Sequence, residues 1–189
     1  VYIPPALTPQ MWHDAFQRCA DAVRTVDALT PIFATSLNCS ADVLQGYPYG
    51  SFRVVAERPI VGNDIWYMQN FYPSFWWRSP TGANYNPTTF LSKAALKNWL
   101  LTERRWQDAL NAGLKLCIGE WGFSSTIDSV DPTNQCAKNF LEICQELGIG
   151  FNVWWWSTAS NGVITDWNGL LSQWGRDTQL YLTEPPPWT

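Results

Sequence analysis

Short apolar runs alternate with amphipathic helical patterns along most of this chain, and that alternation limits its fold more than any other feature. Four runs have the length and composition of strands, at residues 31–37, 65–72, 114–123 and 150–157. Strands that alternate with helices form right-handed crossover units, so the order predicts a parallel sheet covered by helices. The sequence has no Gly-x-Gly-x-x-Gly and no phosphate-binding loop, which favours a barrel-type arrangement over a nucleotide-binding sheet. Four strands cannot close an eight-stranded barrel alone.

Capping residues and glycines mark the predicted helix ends. Predicted starts lie at Thr8-Pro9, Ser92 and Asp131-Pro132, and predicted stops lie at Gly113 and Gly148. Ser92 and Gly113 would bound one long helix, and a final helix is predicted around Trp167–Trp174. Residues 38–63 show no clear amphipathic period, although 52–56 could form a short strand.

The apolar run at 114–123 ends in a carboxylate with an indole beside it. Glu120 and Trp121 would lie at the carboxyl end of a buried parallel strand. Catalytic and ligand-binding side chains collect at that end of the strands in barrels and open α/β sheets. Glu120 is therefore a candidate nucleophile in a sugar site.

Composition excludes several classes of function. The 189 residues carry a net charge of -4 without long runs of either sign, so no nucleic-acid partner is expected. No segment approaches the roughly 20 apolar residues of a membrane span. Thirteen Trp are the outlier, and such rings both fill cores and stack on sugar faces. Trp76 and Trp77 lie in an aromatic, otherwise polar stretch, where either use is possible.

Five Cys and one His give no metal-site pattern. The odd Cys count leaves at least one thiol unpaired within the chain, and Cys136 and Cys144 fall in one predicted helix, where they cannot bridge each other. Cys117 is expected to be a small buried residue, and His13 lies within a helical pattern. We predict no zinc site and no cofactor.

Four short motifs, in order, resemble the second half of the family 5 glycoside hydrolases, the cellulase and mannanase family with a (β/α)8 barrel. The segment from Ile118 to Gly122, IGEWG, resembles the motif that carries that family's nucleophile on strand seven. The segment from Asn70 to Pro73 resembles its H-x-Y-x-P pattern on strand six, and residues 22–32 resemble the segment before strand five. Trp154–Trp156 resembles the aromatic floor of the sugar subsite on strand eight.

The resemblance implies roles for particular residues. Glu120 would be the nucleophile of a retaining hydrolase, and Tyr72 would be the tyrosine that is hydrogen-bonded to it. With the two loop tryptophans and the indole beside Glu120, the predicted substrate-binding residues are Asn70, Trp76, Trp77, Trp121, Trp154 and Trp156.

Two departures from the family pattern stand out. Asn70 replaces a histidine, and the Asn-Glu-Pro motif that holds the family's acid/base glutamate is absent from the sequence. The chain starts at Val1 rather than Met and carries no signal peptide, so we expect an upstream part to have been removed. The acid/base carboxyl would come from a partner chain, from that upstream part, or from one of three loop residues, Glu57, Asp64 and Asp166.

The sequence therefore predicts an α/β half-barrel, strands five to eight of a TIM-type barrel, over residues 1–189. The resemblance implies that it hydrolyses a β-linked oligo- or polysaccharide and that it lies outside the cytoplasm, in the periplasm or as a secreted protein. Homodimerisation could complete the barrel. A catalytically impaired sugar-binding half-barrel and a truncated fragment remain alternatives. In an account without a sugar site, Glu120 would be a strand-end carboxylate paired with an arginine such as Arg78.

Overall fold

The computed structural model describes residues 8–35, 43–44, 47–48, 52–71, 92–121, 135–153, 166–172, 175–176 and 178–179. Its helices are α1 (Pro9–Arg24), α2 (Arg53–Glu57), α3 (Lys93–Thr102), α4 (Trp106–Asn111) and α5 (Gln135–Leu147). Its strands are β1 (Ile32–Thr35), β2 (Val43–Leu44), β3 (Tyr47–Pro48), β4 (Ile65–Phe71), β5 (Lys115–Trp121) and β6 (Gly150–Val153).

The main sheet has four parallel strands in the order β1-β4-β5-β6. Its β1–β4 pair runs in register from Ile32 opposite Ile65 to Thr35 opposite Met68. Strands β2 and β3 form a separate antiparallel pair. The predicted parallel sheet with intervening helices is confirmed.

The chain divides into two compact units. One comprises Val1–Asn70 and Leu100–Cys117, and the other comprises Phe71–Trp99 and Ile118–Thr189.

In the first unit, buried aromatic side chains join the helices to the strands. The indole of Trp12 in α1 donates to the backbone oxygen of Thr35 at 3.0 Å. Tyr67 is 1% exposed, and its hydroxyl accepts the backbone N–H of Ile60 at 2.7 Å. Phe52 packs edge-on against Trp106 at a centroid distance of 5.7 Å, which joins the start of α2 to α4.

In the second unit, α5 supplies most of the described core. Its buried apolar side chains are Cys136, Ala137, Phe140, Leu141, Ile143 and Cys144. Cys136 and Cys144 lie in this one helix, as the sequence predicted. On its surface, Glu142 and Glu146 form ion pairs with Lys93 and Lys97 of α3.

Predicted helix ends are confirmed where the structure describes them. The Thr8 side chain accepts the backbone N–H of Met11 at 3.2 Å, and Pro9 begins α1. Gly113 and Gly148 follow α4 and α5 with φ of +68° and +65°, the left-handed conformation that favours glycine at a helix end. The predicted start at Asp131-Pro132 lies outside the described residues.

Three predictions about local structure are wrong. Residues 52–56 do not form a strand, because Arg53–Glu57 is a helix whose adjacent Val54 and Val55 are both buried. The long helix from Ser92 to Gly113 is instead α3 and α4, separated at 103–105, where Arg105 has a φ of +58°. The backbone oxygen of Arg104 accepts the N–H of Phe52 there, so a long-range contact holds the break.

The third concerns the predicted final helix around Trp167–Trp174. Residues 167–170 form a turn, because the Asp166 carboxylate accepts the backbone N–H groups of Asn168 and Leu170 at 2.9 and 3.2 Å. The described helical residues come later, at 175–176 and 178–179. Gly169 completes this turn at a φ of +87°. Among the described helices, none is long and apolar enough to cross a membrane.

Candidate active site

Glu120 is the next-to-last residue of β5 and is half-buried, as is Gly119 before it. Its other neighbours, Ile118 and Trp121, are both 0% exposed. A carboxylate that is partly accessible at the carboxyl end of a buried parallel strand fits the placement expected of a catalytic group.

Trp121 anchors this end of the strand. Its ring lies 5.8 Å from that of Phe140 in α5, and it packs edge-on against Phe151 of β6 at 6.0 Å. Successive side chains of a strand point to opposite faces of the sheet. Because Trp121 points to the face that α5 covers, Glu120 points to the other face.

The burial of Trp121 bears on its predicted role. An indole without exposed surface is a core residue in this structure, and a sugar could stack on it only after repacking. Its contact with substrate stays a prediction.

The loop before β5 fixes where the strand begins. Gly113 N–H bonds to the oxygen of Leu110 at 2.9 Å, and Leu114 N–H bonds to that of Ala109 at 3.1 Å. These two bonds form a Schellman motif, which ends α4 in one defined direction. The position of Glu120 along the sheet therefore depends on a short, specified connection.

Asn70 is the next-to-last residue of β4, the neighbour of β5 in the sheet order. In β4, Ile65, Tyr67 and Gln69 are buried, whereas the alternate residues Trp66, Met68 and Asn70 are half-buried. Asn70 belongs to the first unit, while Glu120 and Trp121 belong to the second.

The remaining predicted site residues, Tyr72, Trp76, Trp77, Trp154 and Trp156, lie outside the described residues. Arg78, the alternative partner for Glu120, lies outside them too. Their roles stay predictions.

Two of the three candidates for the acid/base carboxyl, Asp64 and Asp166, instead accept hydrogen bonds that hold the fold. Asp64 lies at the amino end of β4 and accepts bonds from Lys115 at 2.5 Å and from the Trp66 indole at 2.9 Å. The hydrogen bond from Lys115, followed by that from Trp66, lowers the pKa of Asp64, whereas a general acid needs a raised pKa. Asp166 accepts the turn bonds described above, and Glu57 is exposed at the end of α2.

No group of three or more His, Cys, Asp and Glu side chains in the described part of the chain is arranged to hold a metal ion. His13 is on α1, where its Nδ1 lies 3.1 Å from the carboxylate of Asp14.

Asn152 is a polar residue on this face that sequence reasoning missed. Phe151 points to the same face as Trp121, which it contacts, so Asn152 points to the face of Glu120. Asn152 is exposed. The sequence feature that could have identified Asn152 is its alternation with the apolar Phe151 in a predicted strand.

Comparison with known proteins gives matches among solved structures. An endocellulase from Pyrococcus horikoshii, in a complex with cellotetraose, matches with a TM-score of 0.65 at 16% identity, over 90% of this chain and 48% of that chain. A hyperthermophilic endo-β-1,4-glucanase in complex with substrate matches with a TM-score of 0.66 at 17% identity, over 94% of this chain and 55% of that chain. Endo-glycoceramidase II from Rhodococcus sp. matches with a TM-score of 0.56 at 19% identity, over 93% of this chain and 37% of that chain.

No protein-family model and no curated protein sequence matches the chain. The chain spans about half the length of the endoglucanases it matches. Matches at these identities show the fold, and the sheet of four parallel strands agrees with them. The chain therefore has the half-barrel fold of the TIM-barrel glycoside hydrolases, as its resemblance to family 5 predicted.

Proposed function

We propose that this chain acts on a β-linked glucan or mannan by a retaining mechanism in which Glu120 is the nucleophile. The observation that carries the proposal is the strand end: a half-buried Glu120 faces away from α5, and the buried Trp121 beside it holds the backbone in place. The endoglucanase fold and the IGEWG motif support the same role.

The chemistry requires two carboxyl groups. In a retaining hydrolase they lie about 5–5.5 Å apart, one attacking the anomeric carbon and the other protonating the leaving oxygen. Glu120 would form the glycosyl-enzyme ester, and Tyr72 would hold its carboxylate by a hydrogen bond. Aromatic rings such as Trp154 and Trp156 would stack on the sugar.

The second carboxyl would come from another half-barrel. Asp64 and Asp166 have the structural bonds described above, which leaves the exposed Glu57 as the remaining one of the three acid/base candidates. We propose that a second copy of this chain completes the site in a homodimer, outside the cytoplasm.

The test is hydrolysis of dinitrophenyl β-cellobioside and β-mannobioside, compared with cellotetraose and mannotetraose. An activated leaving group needs no acid, so the first release of dinitrophenolate reports on attack by the nucleophile alone. Hydrolysis of the resulting sugar ester, and cleavage of the tetrasaccharides, need the second carboxyl group as well. Glu120→Gln should abolish turnover of both kinds of substrate. Glu103→Gln, a change in an exposed turn of the same chain, is the matched control and should leave turnover unchanged.

A second function, a sugar-binding half-barrel without hydrolysis, is favoured by the absence of Asn-Glu-Pro from the sequence. It predicts that tetrasaccharides bind and keep their length on long incubation, and that aryl glycosides are not turned over. That result would overturn the hydrolase proposal.

A further inference from the structure

The face of the sheet that carries Glu120 has a second polar residue, Asn152, in the same unit of the chain. β5 and β6 are neighbours in the sheet order. The contact between Trp121 and Phe151 puts those two rings on the face that α5 covers. Alternation along each strand then places Glu120 and Asn152 together on the opposite face.

The surface around Asn152 is open. Asn152 is exposed, and Gly150, two residues earlier on the same face, has no side chain. A methyl group placed on Gly150 would have no atom within 4 Å apart from those of Gly150 and its two chain neighbours. Among the residues that the structure describes, this part of β6 therefore leaves space at Gly150, two residues before Asn152, for a ligand.

The chemistry of the side chain fits a sugar. A carboxamide both donates and accepts hydrogen bonds, and sugar hydroxyls do the same. Asparagine is also depleted in β-strands, so local strand preference does not account for its presence in β6.

We propose that Asn152 is a substrate-binding residue that hydrogen-bonds a hydroxyl group of the sugar bound at Glu120. The inference rests on the proposed function, because it needs a sugar at that face. It extends that function to a residue of β6 to which neither the motifs nor the comparisons assign a role.

The experiment titrates cellotetraose and mannotetraose into the wild-type chain, Asn152→Ala, Asn152→Ser and the control Asn111→Ala. Asn111 is exposed at the end of α4, the end of its helix that leads to the amino end of β5. Loss of one neutral hydrogen bond should weaken the binding by about threefold to tenfold in Asn152→Ala. Asn152→Ser keeps a donor and an acceptor and should recover part of the loss, while Asn111→Ala should bind as the wild type does.

Urea unfolding separates binding from folding. Because Asn152 is exposed, its variants should unfold at the wild-type urea concentration. Equal affinity of wild type and Asn152→Ala would overturn the inference and leave the proposed function standing. Sugar binding by the wild type without turnover of aryl glycosides would overturn hydrolysis only, and no binding by the wild type would overturn both.

Discussion

At the scale of single residues, the adjacent Glu120 and Trp121 have different surroundings at the end of β5. Trp121 is fully buried between Phe140 and Phe151, so its position is set by packing, and the adjacent Glu120 is directed to the opposite face. The sequence identified Glu120 by its motif. It could not tell whether Trp121 packs or binds sugar, because the same flat ring serves both purposes.

Replacement of Trp121 tests its role as an anchor. Trp121→Ala should lower the free energy of unfolding by about 3–5 kcal/mol, the usual cost of removing a large buried aromatic ring. Trp121→Phe should cost less, because a ring remains against Phe140, and it provides a folded variant for sugar titration. Lost sugar affinity with unchanged urea unfolding in either variant would instead make Trp121 a sugar contact.

Asp27, in the turn between α1 and β1, contributes to the stability of the fold in a way that depends on pH. The hydrogen bond from the Thr30 side chain, with those from the backbone of Thr30 and Leu29, lowers the pKa of Asp27 from 3.8 to about 2. A carboxyl whose pKa is depressed in the folded state stabilises the fold above its unfolded pKa, and this stabilisation is lost as the pH falls through the folded pKa.

We therefore expect Asp27→Asn to be less stable than wild type at neutral pH. The difference should persist down to the unfolded pKa of 3.8 and shrink as the pH falls towards the folded pKa of about 2. Urea unfolding at several pH values between about 7 and 2.5 measures it. A difference that stays constant over this range would contradict the assignment.

At the scale of elements, two equivalent junctions lead into the strands β5 and β6. After α5, Gly148 N–H bonds to the oxygen of Gln145, and Ile149 N–H bonds to that of Cys144, repeating the pattern at Gly113 and Leu114. Both junctions could be predicted from sequence, because glycine at the end of an apolar helical stripe is a local signal.

Gly113→Ala tests whether the left-handed backbone conformation at this helix end is the reason for the glycine. A Cβ at Gly113 meets nothing within 4 Å, so the cost arises from the left-handed backbone alone, about 1–2 kcal/mol of unfolding free energy. Gly113→Asn should cost less, since Asn tolerates this conformation. Gly150→Ala is the matched control: its Cβ also enters open space and its φ is not positive, so a loss as large as that of Gly113→Ala would refute the explanation.

Elements that depend on distant contacts could not be predicted. The break between α3 and α4 is held by the bond from Phe52 to Arg104, residues far apart in sequence. The pattern of Phe52 and Val54 suggested a strand, but Val55 is buried as well, which fits the helix packed against α4. The acid/base carboxyl of the proposed site could not be predicted for another reason: the sequence lacks the Asn-Glu-Pro motif that would identify it.

At the scale of the whole molecule, β1 and β6 are the outer strands of the sheet that the structure describes. Parallel strands are normally buried on both faces, yet Phe33 of β1 is 48% exposed beside the half-buried Trp66. The two outer strands of the described sheet and the exposed ring of Phe33 support the proposed association with another half-barrel.

Light scattering should give a mass twice the 21.5 kDa of one chain. Phe33→Lys should shift the mass to that of a single chain, because it places a charge in the proposed interface. Val61→Lys, at a loop residue that is 78% exposed, should leave the mass unchanged. A wild-type mass of one chain in a folded sample would contradict the homodimer.

The central claim, that Glu120 is the nucleophile of a retaining sugar site, is tested most directly by covalent trapping. The chain is incubated with activated 2-fluoro glycosides of glucose and mannose, and its intact mass is then measured and the labelled peptide mapped. We predict a gain of one sugar on Glu120 that is absent in Glu120→Gln and present in Glu103→Gln. No gain with either sugar, or a label on another residue, would contradict the claim.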